Sequence, residues 1–230
     1  MCTNRQNTLP YTIIPGDIPN TGIPFVDHEQ QGRSGHGGNC LTECRNGDIV
    51  SFYSNVSGDI CGGHGVGGWS EYKRSTDGGT TWSDPVVFDY SRRMWDSDDV
   101  YSALVFSVTT APDGTLIATV LRFKEDLWVK KYPPVYLLSH DHGYSWEGPY
   151  DFDAAASVED ISMTFDAVAV TDDTVFIVFM GGSANYCPGL YSLYASTDNG
   201  KTFEKRSVLP FDHSNYYVTA GALDDGSLIV

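Results

Sequence analysis

Three segments of this 230-residue chain align with one another without a gap: Ser75-Thr-Asp-Gly-Gly-Thr-Thr-Trp82, Ser139-His-Asp-His-Gly-Tyr-Ser-Trp146 and Ser196-Thr-Asp-Asn-Gly-Lys-Thr-Phe203. Their aspartates, Asp77, Asp141 and Asp198, stand 64 and 57 residues apart. Each follows a strand-like run (WSEYKRS, PPVYLLS, LYSLYAS). A second series of turns, Arg45-Asn-Gly-Asp48, Ala111-Pro-Asp-Gly114, Thr171-Asp-Asp173 and Leu223-Asp-Asp-Gly226, interleaves with the first in constant phase. Each joins two strand-like runs as a hairpin does. The repeating unit is therefore four antiparallel strands recurring at about 50–70 residues, the pattern of a propeller blade.

The turn chemistry agrees with this reading. A short Asp side chain bonds the amides of its own loop, Ser and Thr do so more weakly, and Gly79, Gly143 and Gly200 accept a positive φ. Trp82, Trp146 and Phe203 then fold back as the apolar plug of each turn.

These segments resemble the Asp-boxes, or BNR repeats, of the sialidase superfamily, and the resemblance covers residues 38–230. It implies an all-β fold, a six- or seven-bladed β-propeller. It does not by itself imply a function, because Asp-boxes occur in enzymes and binding proteins alike. Counting units predicts blades at about 38–90, 102–152 and 162–210, with a fourth starting over 216–230. The chain thus reads as an incomplete fragment of about three and a quarter blades, short by about 150–250 residues of a closed ring. Residues 1–37 read as an N-terminal segment that supplies a ring-closing outer strand.

Composition narrows the functional classes. Lys and Arg number 14 against 30 Asp and Glu, a net charge of −16, which disfavours general nucleic-acid binding. No apolar run reaches the ~18–20 residues of a membrane span. The start, MCTNRQNTLPYTI, has no basic segment followed by an apolar one, so no signal peptide is visible. The compartment stays open: secreted or periplasmic if the N-terminus is incomplete, cytoplasmic otherwise. Cys2, Cys40, Cys44, Cys61 and Cys187 form no CxxC pair and read as reduced thiols. A His36/Cys40/Cys44 metal site fails on geometry, since residues four apart along a strand lie ~13 Å apart. No cofactor is expected, with calcium at Asp96, Asp98 and Asp99 the one exception to consider.

In a four-stranded blade the hairpins and Asp-boxes share one face, and the variable 2→3 and 4→1 loops share the other, where binding and chemistry gather. The second face collects Arg33, His36, Asp59, His64, Trp95, Asp99, Tyr101, Arg122, Tyr186 and His213. His140 and His142 fall inside an Asp-box, on the opposite face.

The sialidase resemblance can be followed residue by residue. The position of the family's first carboxylate-binding arginine reads Ser34-Gly-His-Gly-Gly38, with His36 in its place and Arg33 close by; that of the second reads Tyr53-Ser54-Asn55. Asp59 stands where the family's acid/base aspartate is found, and the third arginine and the Tyr/Glu pair would fall at or beyond residue 230. The expected activity is glycosidic bond cleavage in a glycan bearing a carboxylate. A weaker resemblance to propeller ulvan lyases implies β-elimination instead, with His36 and His64 as base or acid, Tyr101 as the other partner and Arg122 neutralising the uronate. The third reading is a non-catalytic propeller that binds glycans or a protein by stacking on the loop residues Trp95, Trp128, Tyr132 and Tyr186, with Asp96, Asp98 and Asp99 as acceptors for sugar hydroxyls.

Overall fold

A computed structural model describes residues 25, 32–35, 37–57, 67–99, 102–124, 130–158, 160–182, 190–211 and 218–230. Strands β1 (Arg33–Ser34), β2 (Cys40–Glu43), β3 (Ile49–Ser57), β4 (Gly68–Ser75) and β5 (Val86–Val87) form the first sheet. In it β2–β5 pair in sequence order, and β1 continues beyond β2 along the far end of β3, with Arg33 opposite Ser57. The second sheet is β6 (Ser102–Thr110), β7 (Leu116–Lys124), β8 (Lys130–Ser139) and β9 (Glu147–Asp151). The third is β10 (Val168–Val170), β11 (Val175–Met180), β12 (Tyr191–Ser196) and β13 (Glu204–Leu209), followed by the hairpin β14 (Gly221–Ala222) and β15 (Leu228–Ile229). Every strand pairing among the described residues is antiparallel, and all but β1 on β3 join sequence neighbours. This is the all-β blade architecture that the repeats imply.

The three Asp-boxes share one hydrogen-bond scheme. In the first, Ser75 Oγ donates to Asp77 Oδ1 (2.8 Å) and accepts from Gly79 N (2.8 Å), while Thr81 donates its amide to Oδ1 (2.8 Å) and its hydroxyl to Oδ2 (2.6 Å). Ser139, Asp141, Gly143 and Ser145 repeat it at 2.8, 2.7, 2.8 and 2.6 Å. Ser196, Asp198, Gly200 and Thr202 do so at 2.8, 2.8, 2.9 and 2.6 Å. The plugs seal more than their own turns. Trp146 packs edge-on against Phe52 and Phe88 of the first blade, and Phe203 against Tyr136 and Phe152 of the second. The first two blades each donate a tyrosine hydroxyl to the next Asp-box, Tyr72 to Gly143 O (3.3 Å) and Tyr136 to Lys201 O (3.1 Å).

Those carboxylates predict an acid sensitivity. The Thr81 hydroxyl and amide hold Asp77 down to about 2. For Asp141 desolvation pulls upward, but the Ser145, Ser139 and Tyr144 donors outweigh it and set the group at about 2. A carboxyl depressed on folding stabilises above its unfolded value of about 3.9, and that contribution vanishes as pH falls through the folded value. The melting temperature is therefore expected to fall steeply between about pH 4 and pH 2, and less steeply in Asp77→Asn. Thermal melts across that interval check it, and superimposable curves for the two proteins would refute it.

One segment departs from the sequence reading. The stretch entering the second blade reads as loop, yet Asp89–Trp95 forms helix α1. Its support is local: ion pairs at i,i+4 spacing join Arg93 to Asp89 (3.2 Å) and Arg92 to Asp96 (2.8 Å), with an acid in the first turn and bases in the last. Ser91 anchors the helix between two blades, accepting from Ser70 N (2.8 Å) and donating to Ala103 O. Of the N-terminal segment expected to supply an outer strand, residues 1–24 and 26–31 lie outside the described residues, and Phe25 packs on Tyr53 and Trp82.

Candidate functional site

Hairpins and Asp-boxes occupy one face of the sheets, and the far ends of β3, β7 and β11 open onto the other. Among the sequence-selected residues, Arg33, Trp95, Asp99 and Arg122 are described, whereas His36, Asp59, His64, Tyr101, Tyr186 and His213 lie outside the described residues.

Arg33 is embedded at the corner of blade one. Its Nε donates to Asn55 Oδ1 (2.8 Å), Nη2 to Asn55 O (2.6 Å) and Nη1 to Gly67 O (3.1 Å), so one guanidinium spans both strands that flank the 2→3 loop. Its planar fork suits this use, which a lysine point charge could not reproduce. Trp69 lies under both Arg33 (4.9 Å to the ring centroid) and Arg92 (4.3 Å). Beneath them the buried Glu71 carboxylate accepts from Asn55 Nδ2 (2.8 Å), Trp69 Nε1 (3.0 Å) and the Tyr53 hydroxyl. Burial lowers Arg33 from its ordinary value; Glu71 counters that shift, and Arg92 reinforces it.

Trp95, at the end of α1, shares this corner. A Cβ on Gly67 would lie 3.3 Å from Trp95 Cη2, so a glycine there lets the indole sit against the strand. Asp99 is an exposed partner of Lys124 Nζ (2.9 Å). Arg122 stands opposite Ala103 and Tyr132, and donates from Nε (3.1 Å) and Nη2 (2.7 Å) to Pro133 O. One expectation changes: Tyr132 belongs to strand β8 rather than to a loop, while β7 carries Arg122 and runs on to Lys124. Arg33 and Trp95 thus meet around Gly67, while Asp99 and Arg122 lie on the neighbouring blade's margin.

The sequence reading passed over Asp166. Just before β10, Met163 pairs with Met180 and Ala167 accepts from Val178 N, so three residues, Thr164 to Asp166, face the single residue Phe179 on β11. This bulge turns the Asp166 backbone to φ 58° and leaves its side chain open to solvent. The innermost strands converge there. Phe165 packs on Phe106 of blade two (6.1 Å), a Cβ on Gly37 would lie 3.9 Å from Phe106 Cζ, and Asp166 is near enough to Cys40 of β2 to help raise that buried thiol. Although solvent reaches the carboxyl, the protein walls around it displace enough water to push it up to about 6. The alternation of SMTFDAVAV reads as a plain strand start, and no sequence signal marks a bulge imposed by β11. Asp160, at the entry to blade three, accepts from Ser157 N (3.1 Å) and Oγ (2.9 Å).

No protein-family model matches the chain, and no curated protein sequence matches it significantly. Its fold does match solved structures. A Hadza microbial sialidase, Hz136, superposes with a TM-score of 0.52 at 20% identity, covering 76% of this chain and 34% of that one. The GH93 α-L-arabinofuranosidase of Fusarium graminearum gives 0.51 at 16% identity, over 84% of this chain and 54% of the other. A protein of unknown function from Dyadobacter fermentans gives 0.58 at 15% identity, over 84% and 60%. The chain therefore spans less than two thirds of the length of each of these structures. At such identities the likeness is one of architecture: the chain has the sialidase-like β-propeller fold.

Proposed function

We propose that this chain belongs to a carbohydrate-active enzyme of sialidase-like architecture that cleaves a glycosidic bond in a carboxylate-bearing glycan. The observation that carries the reading is the unequal construction of the two faces. One face is consumed by repeated turn locks, whereas the other carries an indole and two arginines at the corner of blade one and, apart from them on the inner strand of blade three, a carboxyl with a raised proton affinity. Sugar rings stack on Trp95, and the glycan carboxylate meets the guanidinium groups of Arg122 and Arg92, whose remaining N–H donors suit a planar anion. A sialidase and an α-L-arabinofuranosidase share the fold, which agrees with glycoside hydrolysis on this scaffold.

The test uses the complete gene product on a panel of aryl sialosides, arabinofuranosides and uronic-acid polysaccharides, following both reducing ends and unsaturated uronate absorbance. New reducing ends from a carboxylated substrate, without unsaturated product, are the expected result. Unsaturated product lost in His64→Ala and Arg122→Ala would replace hydrolysis by elimination. Glycans bound on an array with no turnover would make the propeller a binding module.

A further inference from the structure

We infer that Asp166 is the proton-transferring carboxyl of this face, donating to the glycosidic oxygen as the bond breaks; the inference rests on the enzymatic reading above. Four features of its place in the fold point there. It stands where the inner strands of three blades approach one another, so a sugar entering the mouth from the loop face meets it. A bulge of three residues against one directs it, and the backbone holds φ 58°, a conformation that few residues other than Gly, Asn and Asp adopt readily. Its carboxyl is open to solvent, as those of Asp77 and Asp141 are, but each Asp-box carboxylate is held by amide and hydroxyl donors of its own turn. And the residue before it, Phe165, packs on Phe106 of blade two, while the buried Cys40 thiol of β2 feels the charge of Asp166.

Such surroundings favour the neutral acid. Desolvation raises Asp166 to about 6, a value at which a carboxyl carries a proton into mildly acidic solution and still releases it near neutrality. In the step, the O–H bond of Asp166 breaks and its proton goes to the glycosidic oxygen, which keeps the electron pair of the cleaved C–O bond and departs as an alcohol. Water is the second reactant. Its oxygen bonds to the anomeric carbon with one hydrogen retained, and the other hydrogen returns to the Asp166 carboxylate.

Asp166→Asn is the decisive variant, because Asn accepts φ near +60° and removes only the acid. The folded-state value of Asp166 lies above the unfolded one, so its ionisation opposes folding as pH rises through about 6. Asp166→Asn is therefore expected to melt at or above the wild-type temperature at pH 7.5, which separates a lost catalyst from a lost fold. With the complete protein, kcat on an unactivated glycan is expected to fall about 10²–10⁴-fold at nearly constant KM. The loss should be much smaller on a nitrophenyl glycoside, whose leaving group needs no proton, and the limb of the pH profile near 6 should disappear. A wild-type enzyme whose Asp166→Asn form stays within threefold on both substrates, while Asp59→Ala abolishes that limb, would overturn the assignment and leave the enzymatic reading standing. A wild type that turns over nothing in the panel would overturn both.

Discussion

Arg74→Met is expected to remove about 3–5 kcal/mol of stability, the range for breaking one partner out of a buried ion pair. At about 2–4 °C per kcal/mol for a domain of this size, the melting temperature should drop by roughly 6–20 °C. Arg74 is 9% exposed and lies between blades. Its Nη1 pairs with Asp48 Oδ2 at 2.9 Å, Nη2 donates to His142 O at 2.6 Å, and the guanidinium lies 4.0 Å from the centroid of the Tyr144 ring. One side chain thus ties the first hairpin of blade one to the Asp-box of blade two. Methionine preserves much of the stem's packing but leaves the Asp48 carboxylate, itself 8% exposed, without its cation and the Asp-box carbonyl without that donor. The control is Asp48→Asn combined with Arg74→Met. Removing the orphaned charge should restore a large part of the loss, and a double-mutant cycle by denaturant titration reads the coupling directly. A single-mutant loss below about 1 kcal/mol would mean that the pair behaves as a solvated surface bridge instead.

The Asp-boxes were legible because their chemistry is local. Ser, Asp, Gly and Thr bond within six or seven residues of one another, so the spacing alone specifies the turn, and three copies in phase specify the blade. The partners of Arg74 were not legible for the opposite reason. Asp48, His142 and Tyr144 lie 26 to 70 residues away in sequence and meet it only once the sheets stack. Helix α1 hid because it is seven residues long, too short for an apolar period to show, and draws its support from two ion pairs and from Ser91. From sequence, Arg33 reads as a cation facing substrate, since a loop arginine beside glycines has no visible partner there. Asn55 and Gly67, which take up three of its donors, arrive from strands set by the register of β3 and β4. Asp166 is the extreme case: its orientation depends on a mismatch of two residues between its segment and β11, which strand alternation cannot reveal. The sequence thus yields the scaffold, whose bonds are short-range, and withholds the mouth, whose geometry is made by strands from different blades.

That distinction makes Gly38→Ala the sharpest mutational probe of the mouth. Gly38 has φ +63°, and a Cβ built there would stand 2.3 Å from Val105 O and 3.6 Å from Phe106 Cδ2. The obstacle is backbone rather than a flexible side-chain tip, and it is braced, because Val105 is fully buried and its amide donates to Ser70 Oγ at 2.9 Å. Two penalties therefore combine: about 1–2 kcal/mol for a side chain in the left-handed region and about 1–3 kcal/mol for forcing packed groups apart. The sum, about 2–5 kcal/mol, corresponds to a drop of roughly 4–20 °C in melting temperature. Gly47→Ala separates the two contributions. It shares a positive φ, +87°, but a Cβ there meets nothing within 4 Å, so only the conformational penalty of about 1–2 kcal/mol applies. Gly38 also lies one step from the acid, since its carbonyl receives the Cys40 thiol at 3.8 Å and Cys40 in turn senses Asp166. Displacing this glycine should therefore cut turnover beyond what the lost stability explains, measured well below the melting temperature, whereas Gly47→Ala should leave turnover unchanged. Equal effects of the two alanines on melting would show that the segment leading into blade one is not wedged against β6.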